Sequence, residues 1–558
     1  MKKSLICIVL AVLMLASFCS VYAEDIVVIF TNDVHCGVKD NWGYRGVASF
    51  KAAYEKTTPY VYLVDNGDAI QGDVYGAISQ GEYIIDFMNA AGYDLAILGN
   101  HEFDYGMDRI AELADLAEFP YTDCNITYTG TKENKLDFLK PYVIEEFGEK
   151  KVAFVGVATP NAIATSTPTY FQEDGEFVYH FGAGEKGAIF YDLVQKAVDD
   201  ARAEGADYVI LLTHLGVRDS DAPYRSIDVI NNTTGVDACL DGHSHSVIPM
   251  DMVANEEGVE IPLASTGTKL ANIGVLTITE DGKISTELFP AIDDGTLTQN
   301  LLTAPFIYEI AEAVVDHLYE DQVEEVLASS NVDLWITDPD GVRIIRSRET
   351  NLGDLCADAY RAAAKADIAI VNGGGIRVNL KAGDLTFGDV KAVHPFGNTL
   401  YAVKATGQQI LDALEWTSRN VQAEYKTPEG KALGENGGFL QVSGLRYTID
   451  TSIESSVIAD ENNLYFGMIE GAPYRVTDVQ VWDEEDKEWE ELELDEEYTV
   501  ASHNYLLKDG GDGTNMFMKD EIVLDAGIPD YKVLVDYVVS FDGDLSAYAE
   551  PQGRITIK

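Results

Sequence analysis

The sequence predicts a two-domain α/β protein, and three observations carry that expectation. At 558 residues the chain is too long for one ordinary domain. Apolar runs of strand character alternate with helically periodic stretches from residue 25 to about 290, and again from about 335 onward. With 46% hydrophobic residues, the composition suits packed cores and not disorder. The predicted division is a leader (1–23), a first α/β domain (24–300), a helical connector (301–334) and a second α/β domain (335–558).

The leader has the form of a secretory signal peptide. Lys2 and Lys3 precede an apolar stretch over 5–18, and Val21-Tyr22-Ala23 supplies small residues for cleavage after Ala23. The stretch is short for a membrane span, which takes roughly 20 residues. Bulky Phe18 before Cys19 disfavours a lipoprotein site. This predicts a secreted or periplasmic protein with no stable membrane insertion after cleavage. Cys36, Cys124, Cys239 and Cys356 then remain, without a Cys-x-x-Cys, so neither a zinc knuckle nor a disulfide framework is expected.

Charge narrows the partners. The chain has 39 Lys and Arg against 94 Asp and Glu, a net −55, and such a surface repels nucleic-acid polymers and anionic lipid. A small phosphoester remains compatible where metals and a few arginines set the local field.

In the first domain, strands are expected over 26–30, 60–64, 95–98, 208–212 and 236–240, and helices over 83–91 and 187–204. Each strand runs into side chains that bind metals. These are Asp33 and His35, Asp68, then Asn100, His101 and Asp104, then His214, and finally His243 and His245. Open α/β sheets place ligand sites beyond the carboxyl ends of their strands, so the five segments should converge. Alone, Asp-x-His is a common coincidence and Gly-Asp a common turn. Gly-Asn-His-Glu-Phe-Asp at 99–104 is far more specific, and Gly-His-Ser-His at 242–245 moderately so. Mixed carboxylates and imidazoles suit zinc, manganese or iron better than magnesium or calcium. A carboxylate shared by two ions holds them about 3.5–4 Å apart, the spacing of two-metal hydrolases.

Beyond 300, residues 304–329 are acidic and helically periodic, and are expected to form the connector, followed by a turn at 338–341. In the second domain a strand over 366–371 opens into Asn372-Gly373-Gly374-Gly375-Ile376-Arg377, and Gly510-Gly511-Asp512-Gly513 lies near the end. The acidic stretch 482–497 is expected to be a solvated hairpin tip and its flank. Arg343, Arg346 and Arg348 cluster in a chain poor in basic residues. Without other information, a charged edge strand and an anion site are equally good readings of them.

With these residues in view, the first half resembles the calcineurin-like metallophosphoesterases, and residues 25–558 resemble the secreted 5′-nucleotidase family. Glu349-Thr350-Asn351-Leu352-Gly353-Asp354, Pro395-Phe396-Gly397 and Gln441-Val442-Ser443-Gly444 complete the motif set. The resemblance implies a four-layer α/β/β/α sandwich followed by an α/β substrate-binding domain that swings about the connector. It implies two divalent ions, zinc or manganese. Asp33, His35 and His245 would hold one, Asn100, His214 and His243 the other, with Asp68 bridging. It implies His101 and Asp104 as a catalytic pair. For substrate it implies Arg346 and Arg377 on phosphate, Asn372 and Gly375 near base or ribose, Asp512 on ribose, and Phe396 as half of an aromatic clamp. The second clamp position departs from the pattern. A Phe is expected six residues before Asp512, where Leu506 stands, and neighbouring Tyr505 is the candidate replacement.

The function this implies is an exported two-metal phosphohydrolase that removes the 5′-phosphate of nucleotides through a metal-activated water. Two related activities stay open: a 2′,3′-cyclic-nucleotide phosphodiesterase with 3′-nucleotidase activity, and a UDP-sugar hydrolase. A non-catalytic exported nucleotide-binding protein is the alternative of another class. Neither base preference, metal identity nor oligomeric state is expressed in the motifs.

Overall fold

The structure, a computed structural model, describes residues 24–38, 40–291, 323–428 and 430–558. The leader and most of the expected connector lie outside these residues.

The first domain is built on two sheets. One has the strand order Ile284–Pro290, Asn272–Ile278, Ile26–Thr31, Val61–Asp65, Leu95–Ala96. The other runs Val247–Ala254, Glu260–Thr266, Ala238–Asp241, Tyr208–His214, Lys150–Ala158, Val143–Phe147. In the second sheet the central strands are parallel and antiparallel strands close both edges; in the first, antiparallel strands close one edge and the parallel strand Leu95–Ala96 forms the other. Alternate residues explain the layering. Val28, Phe30, Val64, Phe154, Ile210 and Leu240 fill the space between the sheets. Their neighbours Val27, Ile29 and Leu63 face outward onto the helices Gly43–Tyr54 and Glu82–Ala91. Val155, Val209 and Leu211 face the helix Ala188–Ala203 on the opposite side. The result is a four-layer α/β/β/α sandwich.

Strand register decides where the ligand-bearing loops emerge. Thr31 stands beside Asp65, and Asp65 beside Ala96. In the second sheet Thr213 stands beside Asp241. The parallel strands therefore end level with one another, and the loops that follow open at one edge of the sandwich.

The second domain has a five-stranded sheet ordered Leu440–Ser443, Ile368–Asn372, Glu497–His503, Thr399–Thr406, Glu521–Pro529. A four-stranded sheet accompanies it, ordered Glu488–Glu491, Val476–Asp483, Leu445–Ile449, Ile555–Ile557. Thr350 caps the helix Asn351–Ala364, accepting from the Gly353 amide at 3.1 Å. That helix covers the larger sheet through Leu355, Ala359 and Tyr360. The acidic stretch forms the expected hairpin, with Trp482 paired to Trp489 and exposed carboxylates at its tip.

One expectation fails. Periodicity predicts helix through Ser329, but Val326–Ser330 is a strand, paired antiparallel with Gly383–Thr386. Its apolar residues serve a two-residue strand period as well as a helical one, and cross-strand pairing wins.

The two domains meet over the open edge of the sandwich. The Tyr505 hydroxyl donates to the carbonyls of Ala164 and Thr165, each at 3.3 Å. Thr169 donates to Asp509 at 3.2 Å, and Asn463 donates to Asn161.

Phe154 is fully buried between the sheets and stacks on Tyr62, with ring centroids 4.9 Å apart. Phe154→Ala is expected to destabilise the first domain by about 3–5 kcal/mol, measured by urea denaturation. A loss below about 1 kcal/mol would mean that this layer is not the domain's main core.

Candidate active site

The ligand-bearing loops converge as the strand ends require, and their backbones are unusual. Asp33, His35, Asp68, His243 and His245 all have positive φ, between 46° and 72°. Non-glycine residues rarely adopt this left-handed region. The loops hold one another there through main-chain bonds: Asp33 N donates to Gly67 O at 3.0 Å, and His35 N to Asp68 O at 2.9 Å. Gly67 must be glycine on two counts. Its φ is +86°, and a Cβ would lie 2.5 Å from Gly99 N and 2.9 Å from His214 Nδ1.

Two groups of side chains are close enough to share an ion: Asp33, His35 and His245, and Asp68, His214 and His243. His35 Nε2 lies 3.0 Å from His245 Nε2, and His214 Nε2 lies 3.1 Å from Asp68 Oδ2. Asn100 Oδ1 is 2.9 Å from His243 Nδ1, which brings it to the second group. Backbone carbonyls orient the rings. Gln71 O binds His35 Nδ1 at 2.8 Å and Asn66 O binds His214 Nδ1 at 2.7 Å, so Nε2 of each ring faces the centre.

The residues fit divalent cations. His214 Nε2 is buried 3.1 Å from Asp68 Oδ2, in a close ionic contact without hydrogen-bond alignment. Burial holds His35, His243 and His245 well below the ordinary imidazole range, so they present neutral nitrogens. Burial also disfavours a charged His214, but Asp68 and Asp33 outweigh it and push that ring up to about 10. A cation between these carboxylates would take the place of that proton.

Asp104 Oδ2 accepts from His101 Nδ1 at 2.6 Å, and Ser166 donates to the other carboxylate oxygen at 3.0 Å. Burial lowers the His101 affinity for a proton, yet Asp104 and Asp68 overcome it and the net shift is upward.

The second domain supplies the opposite wall of a cavity of about 260 Å³. Arg346, Asn372, Gly375, Arg377, Phe396, Tyr505 and Asp512 all line it, as do Asp68, Asn100, His101 and Asp104. The Phe396 ring sits 5.8 Å from His101 and 5.7 Å from the Arg377 guanidinium carbon. Leu506 is fully buried in the second domain's core and does not line the cavity, so no aliphatic wall replaces the expected aromatic. Arg346 is costly as it stands. Burial first, then Arg343 and Arg377, hold its guanidinium well below the ordinary range, and its Nε has no hydrogen-bond partner among the described residues. Gln441 fixes the segment that carries it, donating to Ile345 O at 3.0 Å and Arg348 O at 2.8 Å.

Sequence reasoning passes over several residues. Arg218 and Arg419 also line the cavity, and Arg218 donates to Ser244 O at 2.6 Å, bracing the loop of His243 and His245. Arg218 stands four residues after His214 in a chain short of basic residues, which is a usable signal. Glu102 is visible in the sequence only as part of a motif. It is buried and accepts from Asp68 N and Ala69 N at 2.8 Å and from Gly99 N at 2.6 Å. One carboxylate thus joins the loop of Asp68 to that of Asn100. Arg343 and Arg348 are committed elsewhere, to Glu435 and to backbone carbonyls respectively.

The arrangement is that of a metallophosphoesterase sandwich faced by a ligand-binding domain. Comparison with known proteins agrees. The family described as 5′-nucleotidase, C-terminal domain, matches residues 327–519, and that of the bacterial capsule synthesis protein PGA_cap matches 61–259. The trifunctional nucleotide phosphoesterase protein YfkN of Bacillus subtilis is 28% identical over 95% of this chain, which spans only 35% of that protein's length. A 5′-nucleotidase of Vibrio parahaemolyticus is 26% identical, covering 95% of this chain and 91% of its own. The solved 5′-nucleotidase precursor from Thermus thermophilus superposes with a TM-score of 0.74 at 25% identity, over 96% of this chain and 99% of that one. The chain is a phosphoester hydrolase that is similar to 5′-nucleotidases along almost its whole length.

Glu102→Gln places an amide N–H₂ among three backbone donors. It is expected to lower divalent-ion affinity about 10- to 100-fold with the far-UV circular dichroism unchanged. Isothermal titration of EDTA-stripped protein with Mn²⁺ measures this. Unchanged affinity would mean that the two loops hold their places without Glu102.

Proposed function

We propose that this chain is an exported two-metal phosphohydrolase that removes the 5′-phosphate from nucleotides. The observation that carries the reading is the shared cavity, with metal-ligating side chains on one wall and, on the other, Arg346 and Arg377, the first with an Nε unpartnered among the described residues, and the rings of Phe396 and Tyr505. Export rests on the leader sequence alone.

Asp33, His35 and His245 would hold one ion, Asn100, His214 and His243 the other, with Asp68 between them. Bound there, divalent ions supply charge stabilisation to phosphoryl oxygens and acidify water near neutral pH. Arg346 and Arg377 grip the phosphate, and the anion relieves the cost of burying their charges together. Asp104 fixes the His101 ring through Nδ1–H, leaving Nε2 for the substrate. The raised proton affinity of that imidazole favours its cationic form, which stabilises charge on the phosphoryl group or leaving oxygen. Phe396 and Tyr505 flank the base, and Asn372, Gly375 and Asp512 address the ribose and base. Tyr505 on the cavity wall supports an aromatic pair about a base, a feature that the cyclic-nucleotide and UDP-sugar alternatives would share, so the substrate panel separates them.

EDTA-stripped protein resupplied with Mn²⁺ or Zn²⁺ is expected to hydrolyse 5′-AMP or 5′-UMP to nucleoside and phosphate faster than it opens 2′,3′-cyclic AMP to a monophosphate or splits UDP-glucose to UMP and glucose 1-phosphate, with the products separated by chromatography. No hydrolysis of either 5′-nucleotide would overturn the reading. His101→Ala should lower kcat about 10²- to 10⁴-fold while nucleotide binding persists. Wild-type protein that binds nucleotide without turnover would instead mark it as a binding protein.

A further inference from the structure

Beneath the Asn372–Gly375 turn lie two histidines that the chemistry above does not use. His394 and His503 are both buried, and the Tyr360 ring packs edge-on to each, with centroids 6.4 Å and 6.0 Å away. Burial lowers His394 to about 4 and His503 to about 3, so both rings are neutral at physiological pH and each carries a single N–H.

Hydrogen bonding decides where those protons sit. Asn372 Nδ2 donates to Asp512 Oδ2 at 2.6 Å, so the amide oxygen is turned the other way. That oxygen lies 3.0 Å from His503 Nε2 and can only accept, so His503 carries its proton on Nε2. His394 Nδ1 is 3.1 Å from Gly375 O, also an acceptor only, so His394 carries its proton on Nδ1. Asp512 is held in turn by its backbone: its N–H donates to the Tyr505 hydroxyl at 3.0 Å and its carbonyl accepts from Trp416 Nε1 at 2.8 Å. Asn372 Oδ1 also packs over Gly375, where a Cβ would lie 2.7 Å away. If the Asn372 amide flipped, its oxygen would face the Asp512 carboxylate and its N–H₂ the His503 donor. Both contacts would be repulsive.

We propose that His503 and His394 are positioning residues for nucleoside recognition: they lock the Asn372 amide and the Gly375 carbonyl, and through Asn372 they aim Asp512 into the cavity. This rests on the nucleotidase reading and extends it. Nucleoside recognition then depends on a buried donor chain, His503 to Asn372 to Asp512, that touches neither phosphate nor metal ligands.

The test uses the full chain loaded with Mn²⁺ and two substrates: 5′-AMP, and p-nitrophenyl phosphate, which has no nucleoside. His503→Leu removes the donor. It should raise KM for 5′-AMP about tenfold or more, change kcat less than about threefold, and leave p-nitrophenyl phosphate turnover within about twofold. His503→Gln, which restores an N–H, should return KM to within about threefold of wild type. In an Asn372→Ala background His503→Leu should add nothing further, because the two act in series. Should His503→Leu lower Tm by more than about 5 °C, His503→Phe, which fills the site without a donor, takes its place. Unchanged 5′-AMP KM in the donorless variant, equal losses on both substrates, or additive losses with Asn372→Ala would each overturn the proposal. Wild-type protein that cleaves p-nitrophenyl phosphate but not 5′-AMP would overturn the nucleotidase reading, and this inference with it.

Discussion

The whole site depends on placing two buried carboxylates, Asp33 and Asp68, beside four imidazoles at the wall of the cavity. Like charges resist that arrangement, and burial raises Asp33 toward its neutral form even though His214 pulls the other way. The chain reaches it by forcing five ligand residues into left-handed backbone conformations, each costing of order 1–3 kcal/mol. Such strain persists only where the surroundings over-determine it. Here they do: the loops bond to one another along the main chain, Glu102 ties two of them together, and level parallel strands anchor every loop at its base. The sandwich is therefore best understood as the rigid frame that this local strain requires.

Electrostatics explains how a protein of net charge −55 can bind a phosphoester at all. The anionic surface would repel such a ligand at long range, but that field is screened over about 8 Å in physiological salt. At close range the cavity is different. Arg218, Arg346, Arg377 and Arg419 all line it. Arg377 feels Asp68, Asp104 and Asp33 across the domain boundary, so the cationic wall is attracted to the anionic one. Cations between the carboxylates would weaken that attraction, and an anionic substrate between the walls would restore it.

The sequence makes the first domain more legible than the second, for a physical reason. A metal centre needs particular side chains, Asp, His and Asn, and parallel strands deliver them at fixed points, so motif and periodicity coincide. Asp33 through His245 can be read in that way. Nucleoside recognition uses backbone, aromatic faces and neutral donors, which many residue types supply. His394 and His503 give no pattern because their hydrogen bonds run to Gly375 and Asn372 and not into the cavity. Tyr505 and Leu506 are neighbours in the chain, and only burial distinguishes cavity wall from core. The 326–330 segment shows the same limit in secondary structure, where a short apolar run satisfies two periods and its pairing partner lies over fifty residues away.

Tyr505 shows why the departure from the expected clamp has consequences beyond stacking. A phenylalanine could offer only its ring. The Tyr505 hydroxyl accepts from the Asp512 amide and donates to the carbonyls of Ala164 and Thr165 in the opposite domain. It shares that side of the boundary with the Thr169–Asp509 contact. One side chain thus lies on the cavity wall, on the loop carrying Asp512 and on the domain boundary. Separating the domains would break the bonds to Ala164 and Thr165 and release the constraint on that loop. The part of the cavity wall that carries Asp512 is thus held in place by contact with the first domain, and on the proposed nucleotidase reading the nucleoside site is completed only with the two domains together.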